Sequence, residues 1–103
     1  MSDQASPQIV SETTAQGGVY SAEVAGASRK AELTWQDRSG VRVVDHTFVP
    51  PEARGRGLAL KLVEAIVADA RTEGFKIAPL CPYVVIAFGK HPEWADLRAP
   101  LPR

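Results

Sequence analysis

Apolar and polar residues alternate with a period of two from Val19 onward, and the period lengthens to three and four after Gly57. Tyr20, Ala22 and Val24 fall on one side and Ser21 and Glu23 on the other, until Gly26 breaks the run. Such alternation predicts a half-buried strand. Residues 29–35 repeat it more cleanly, with Ala31, Leu33 and Trp35 on one face and Lys30, Glu32 and Thr34 on the other. Asp37-Arg38-Ser39-Gly40 has the composition of a tight turn, with Gly40 free to take a positive φ. Residues 41–49 then predict a third strand, and the three together an antiparallel meander.

Ala59, Leu62, Val63, Ile66 and Ala70 recur at helical spacing, with Lys61, Glu64 and Asp69 off the stripe. Gly74 stands where a left-handed cap is wanted, so the pattern predicts a helix over 58–73, about 24 Å long at the usual rise. Residues 76–80 read as a short apolar strand, parallel to 41–49 after the crossover helix. Cys81-Pro82 ends that strand. Residues 83–88 predict a buried helix with Pro82 in its first turn, stopped by Gly89 and His91-Pro92. The expected fold is a small single α+β domain of order β-β-β-α-β-α over residues 17–98. Residues 1–16 are polar apart from Ile9 and Val10, and read as a mobile tail with a short pairing segment near Ile9. Residues 99–103 read as a C-terminal tail.

Composition narrows the function more than the fold. The chain has 103 residues, enough for one core, and its twelve Lys and Arg balance twelve Asp and Glu. A neutral chain has no global field to hold nucleic acid or an anionic membrane. Cys81 is the only cysteine, so no internal disulfide and no multi-thiolate zinc site can form, and no metal is expected. With neither a leader pattern nor a run of about twenty apolar residues, a cytoplasmic protein is the expectation.

The candidate chemistry begins where the period changes. In "VPPEARGRGLALKL", residues 49–62, a strand end is followed by two prolines and the sequence Arg54-Gly55-Arg56-Gly57-Leu58-Ala59. Unpaired amides and the dipole at a helix start favour an anion. Gly55 and Gly57 would let a diphosphate approach the backbone, and Arg54 and Arg56 add positive charge. No nucleotide P-loop is present, because the Gly-Lys-Ser/Thr element is missing. A tight strand-to-helix connection with no ligand would explain the loop alone equally well.

Three blocks in order, "DHTFVPPEARGRGLALKLV", "IAPLCPYV" and "KHPEW", make this sequence resemble the GNAT acyltransferase superfamily, and within it the small single-domain N-acetyltransferases of the YJDJ type. The resemblance spans residues 18–94. It implies acetyl-CoA as co-substrate and an amine as acceptor. The pyrophosphate would rest on the amides of Gly55, Arg56, Gly57, Leu58 and Ala59, with Arg54 beside them. The pantetheine arm would pair with backbone at Phe48 and Val49, where an amide could also steady the oxyanion, and the thioester would reach Cys81. Larger members place a tyrosine at the end of the last helix as acid for the leaving thiolate; here that turn reads Phe88-Gly89-Lys90, and Tyr83 stands at the helix start.

Two candidate catalytic residues follow. Cys81 could take the acyl group or protonate the departing thiolate. A free thiol ionises near 8.5, so nucleophilic attack at neutral pH asks for a lowered value, and a lone cysteine at a strand end can equally be a small buried hydrophobe. His46, expected on the same side as Val44 and Phe48, is a candidate base, direct or through water, or else a partly buried histidine bonded to backbone. Lys90 and His91 are candidate contacts for coenzyme phosphates, though a solvated turn explains them too. The rival reading from another class is a CoA-binding or interaction module without turnover. Acceptor identity and oligomeric state are not legible.

Overall fold

In the computed structural model, which describes residues 8–102, five strands form one sheet in sequence order. They are β1 (Val10–Thr13), β2 (Gly17–Ala22), β3 (Ala31–Arg38), β4 (Val41–Phe48) and β5 (Lys76–Pro79). β1 to β4 pair antiparallel, and β5 runs parallel to β4 after the crossover through helix α1 (Leu58–Glu73). Helix α2 (Pro82–Lys90) and a 3-10 helix at Pro92–Leu97 close the domain.

The meander therefore has four strands where the alternation predicted three. The pairing segment expected near Ile9 is β1, whose four residues are all exposed. With neither face buried, no hydrophobic alternation marks it, and its order comes from backbone pairing to β2. Of the tail expected over residues 1–16, Met1 to Pro7 lie outside the described residues, as does Arg103 at the other end. The C-terminal segment adds to the opposite edge, where Ala99 N–H donates to Ile77 O at 2.8 Å.

The β3–β4 hairpin turns on Ser39-Gly40, with φ of 57° and 80°. Two consecutive positive φ values make the mirror-image turn that matches strand twist. α1 spans the residues its periodicity predicts and ends at Gly74, whose φ is 87°. Leu58, Leu62, Val63, Ile66, Val67 and Ala70 are buried against the sheet face that carries Ala31, Leu33, Trp35 and Val44. Val84, Ala87 and Phe88 of α2 join the same core, with Trp94 and Leu97 from the 3-10 helix. Both helices thus cover one face, and the opposite face carries Thr34, Gln36, Val43 and Asp45.

At the α1 C-terminus, Arg42 lies between Trp35 and Phe75, 3.9 Å from each ring centre. Its guanidinium donates to the Tyr20 hydroxyl at 2.9 Å, and that hydroxyl donates to Asp69 at 2.6 Å. Burial, then the bond to Asp69, push the Tyr20 hydroxyl pKa well above its usual value. The sign follows: the folded state keeps the proton that the unfolded chain gives up, so stability falls as pH rises above about 10. Tyr20→Phe should cost about 1.5 kcal/mol at neutral pH and weaken that alkaline fall. Urea midpoints of both proteins at neutral and alkaline pH measure it; equal stability at every pH would show the network contributes nothing.

Candidate active site

The parallel pairing of β4 with β5 ends at Val44 and Pro79, where Leu80 and Cys81 N–H both donate to Val44 O, at 2.9 and 3.0 Å. Beyond this fork β4 continues to Phe48 paired with β3 alone, while the chain after β5 turns into α2 with Cys81 as its N-cap. The strands part at the end facing the start of both helices.

A β-bulge lies at the fork. Trp35 pairs with Val44 but Thr34 pairs with His46, so Asp45 is an extra residue in β4. The insertion reverses the side-chain parity beyond it. Leu33, on the helix-covered face, pairs with Thr47, so the face of Val44 continues at Thr47. Thr47 Oγ1 lies 3.5 Å from Cys81 Sγ. His46 is exposed on the opposite face with Phe48, whose ring Arg29 covers at 3.7 Å. The expectation that His46 shares a side with both Val44 and Phe48 is corrected on this point: it shares one with Phe48 only, because the bulge lies between Val44 and His46.

Below the fork an open recess of about 210 Å³ is lined by Val49, Ala53, Gly55, Gly57, Leu58 and Tyr83, among others. A 3-10 turn at Pro51–Ala53 carries the chain from β4 to the glycines. Gly55 and Gly57 have φ of 82° and 76°, a region costly for residues with a Cβ, and a Cβ built on either would meet nothing within 4 Å. The glycines are thus required by backbone shape and face open space. Lys61 N–H makes the bond to the Gly57 carbonyl at 3.1 Å, so the amides of Leu58, Ala59 and Leu60 precede the helical ladder. Ala59 also lines the recess.

The two arginines divide. Arg54 Nε donates to Val49 O at 2.9 Å, bracing the loop against the strand end with one of its five donors. Arg56 is exposed. Cys81 is buried, 9% exposed, at the fork. Tyr83 lines the recess with its hydroxyl pushed above the usual range, first by burial and then by Glu64, so at neutral pH it holds its proton.

Lys90 and His91 are not brought to this recess. α2 starts beside it at Tyr83 and ends at Lys90, and the turn that follows is tied to the last turns of α1, where Arg71 donates to Glu93 O at 2.7 Å and pairs with Asp96 at 3.1 Å. His91 stacks on Trp94 with ring centres 4.0 Å apart, and its Nδ1 lies 2.9 Å from Glu93, whose carboxyl is held below its usual range mainly by that bond. His91 is thereby packed at the chain end, while Lys90 is exposed at the last position of α2. Conversely, Thr47 was hidden by the bulge, which lies one residue beyond the regularly paired Val43 and Val44.

A strand fork thus faces a glycine-started helix in a small α+β domain, with a recess between them. The profile of the family described as GCN5-related N-acetyl-transferase matches residues 19–97. The chain belongs to the GCN5-related N-acetyltransferase family. Its fold is similar to the NMR solution structure of a GCN5-like protein of Staphylococcus aureus, a candidate N-acetyltransferase, with a TM-score of 0.68 and 23% identity over 91% of each chain. Membership of that family makes it an acyltransferase. Among the described residues no helix is long and apolar enough to cross a membrane, and no group of three or more His, Cys, Asp or Glu is placed to hold a metal ion.

Proposed function

We propose that the chain transfers an acetyl group from acetyl-CoA to an amine. The observation that carries this is the recess itself, bounded by the glycine turn and α1 N-terminus on one side and by Val49 and Tyr83 on the other. Pyrophosphate would rest on the amides of Gly55 to Ala59, with Arg54 and Arg56 supplying charge. The pantetheine would lie along β4 at Phe48 and Val49, where β5 no longer pairs, and place the thioester at the fork beside Cys81. The amine nitrogen then attacks the thioester carbonyl carbon; the C–N bond forms, the C–S bond breaks, and the thiolate takes a proton.

Two groups on this side can supply that proton, the Cys81 thiol and the Tyr83 hydroxyl. The ammonium must lose its own proton before attack. His46, on the outer face, serves as that base through water for an acceptor arriving from there.

The test is thermal. Acetyl-CoA at a hundredfold its dissociation constant should add about 2.7 kcal/mol to stability, visible as a raised melting temperature. An unchanged melting temperature at millimolar acetyl-CoA would remove the reading. Stabilisation with no transfer to any of a panel of amines would favour a binding module.

A further inference from the structure

The outer face of the sheet has a recess of its own at the same fork. It measures about 250 Å³ and is walled by Val43, Leu80 and Leu101, with Gln36, Arg38 and Asp45 as its polar residues. Leu80, on the chain just beyond β5, is 51% exposed and directly precedes Cys81. The two recesses therefore lie on opposite sides of the point where β4 and β5 part: the glycine recess on the helix side, this one on the other face.

Its two charged side chains are linked through one amide. Asp45, the bulge residue, accepts from Thr34 Oγ1 at 2.6 Å and from Gln36 Nε2 at 3.2 Å. Arg38 Nη2 donates to the other end of the same amide, Gln36 Oε1, at 3.3 Å. Gln36 thus holds a carboxylate and a guanidinium apart by the length of its amide plus two hydrogen bonds. A carboxylate offers about four acceptor positions and a guanidinium five donors, so each keeps capacity for a ligand. The carboxylate belongs to the residue next to Val44, at the fork, while Arg38 stands at the hairpin end of β3.

We propose that this recess binds the acyl acceptor, and that the acceptor is a small zwitterionic amine of the amino-acid type. Its ammonium meets Asp45, its carboxylate meets Arg38, and its carbon chain lies on Val43, Leu80 and Leu101. This rests on the acetyl-transfer reading above. A purely cationic amine would satisfy Asp45 but face the Arg38 charge unpaired, and like charges in one recess repel. The separation fixed by Gln36 favours an amine several bonds from its carboxylate over an α-amino acid.

The probes are the straight-chain ω-amino acids from glycine to aminohexanoate, each beside the plain amine that lacks its carboxylate. Binding is followed by amide NMR shifts of Gln36, Val43 and Leu80 with saturating CoA, and turnover by release of CoA thiol from acetyl-CoA. The longer amino acids should move those amides and show a KM about tenfold below that of the matching amine. Arg38→Gln, an exposed change that leaves the fold intact, should erase this preference by raising KM for the amino acid alone. Asp45→Asn should raise KM for both, with the acetyl-CoA melting shift retained in each variant. Equal KM for amino acid and amine, no movement of these amides with any probe, acetylation of peptide lysines only, or an unchanged preference in Arg38→Gln would each overturn the proposal. Failure of the wild-type melting shift would instead remove the acetyl-CoA reading beneath it.

Discussion

Gly57→Val should abolish the stabilisation that acetyl-CoA gives the wild-type protein while leaving a folded chain. Gly57 holds φ at 76° as the N-cap of α1 and lines the glycine recess. A residue with a Cβ pays about 1–2 kcal/mol in that left-handed region, and a β-branched one more. Against a typical domain stability of about 5–15 kcal/mol the apo fold survives, melting several degrees lower. The added methyl groups would stand in space that is empty now and that a pyrophosphate would need. Relaxing the strain by moving the backbone would turn the amides of Leu58 and Ala59 away from the recess, so either response removes the anion site. Arg56→Ala offers a milder comparison: weaker binding, by a margin that shrinks as salt rises, since Arg56 is exposed and its contribution is screened. Calorimetric or melting titrations on the three proteins measure both effects. Normal acetyl-CoA affinity in Gly57→Val would reduce the loop to a connector.

That loop was the most legible part of the sequence, because two chemistries converge there. Glycine at a strand-to-helix junction marks a backbone need, and the apolar stripe that follows fixes where the helix starts, so α1 was bounded at both ends from pattern alone. The hairpin at Ser39-Gly40 was legible for the same reason. β1 was not: a strand exposed on both faces has no periodicity, and pairing with β2 is a non-local event. The bulge at Asp45 was equally hidden, and it decided the site. One inserted residue turned His46 to the outer face and Thr47 to the side of Cys81, a parity that strict alternation from Val44 does not give. Lys90 and His91 show a third limit. Their position after a helix carried no sign of how the turn is held, which the ties of Arg71 to Glu93 and Asp96 against α1 supply.

Cys81→Ala should keep acetyl-CoA binding and slow acetyl transfer by about 10²-fold or more, the scale of a lost general acid. Cys81 caps α2 where β5 ends, its backbone N–H held by Val44 O and its sulfur 3.5 Å from the Thr47 hydroxyl, whereas the lining of the recess beside the start of α1 is Gly55, Gly57 and Leu58. Removing the sulfur therefore changes the fork, where the thioester is proposed to lie, and leaves the glycine loop alone. Thr47→Val tests whether the hydroxyl orients the thiol: a smaller loss of kcat with unchanged KM for acetyl-CoA is expected. Tyr83 is the competing acid. Its hydroxyl is held protonated by burial and by Glu64, and it lines the same recess, so Tyr83→Phe ranks the two. Incubation with acetyl-CoA and no acceptor distinguishes the two roles of the thiol. One acetyl retained on Cys81 by mass spectrometry identifies a nucleophile and predicts ping-pong kinetics. An unlabelled thiol together with a slow Cys81→Ala enzyme identifies an acid, because an acid gives its proton to the departing thiolate without ever carrying the acyl group. Full activity in Cys81→Ala with a slow Tyr83→Phe would move the acid role to the tyrosine and leave the cysteine as one of the buried core residues.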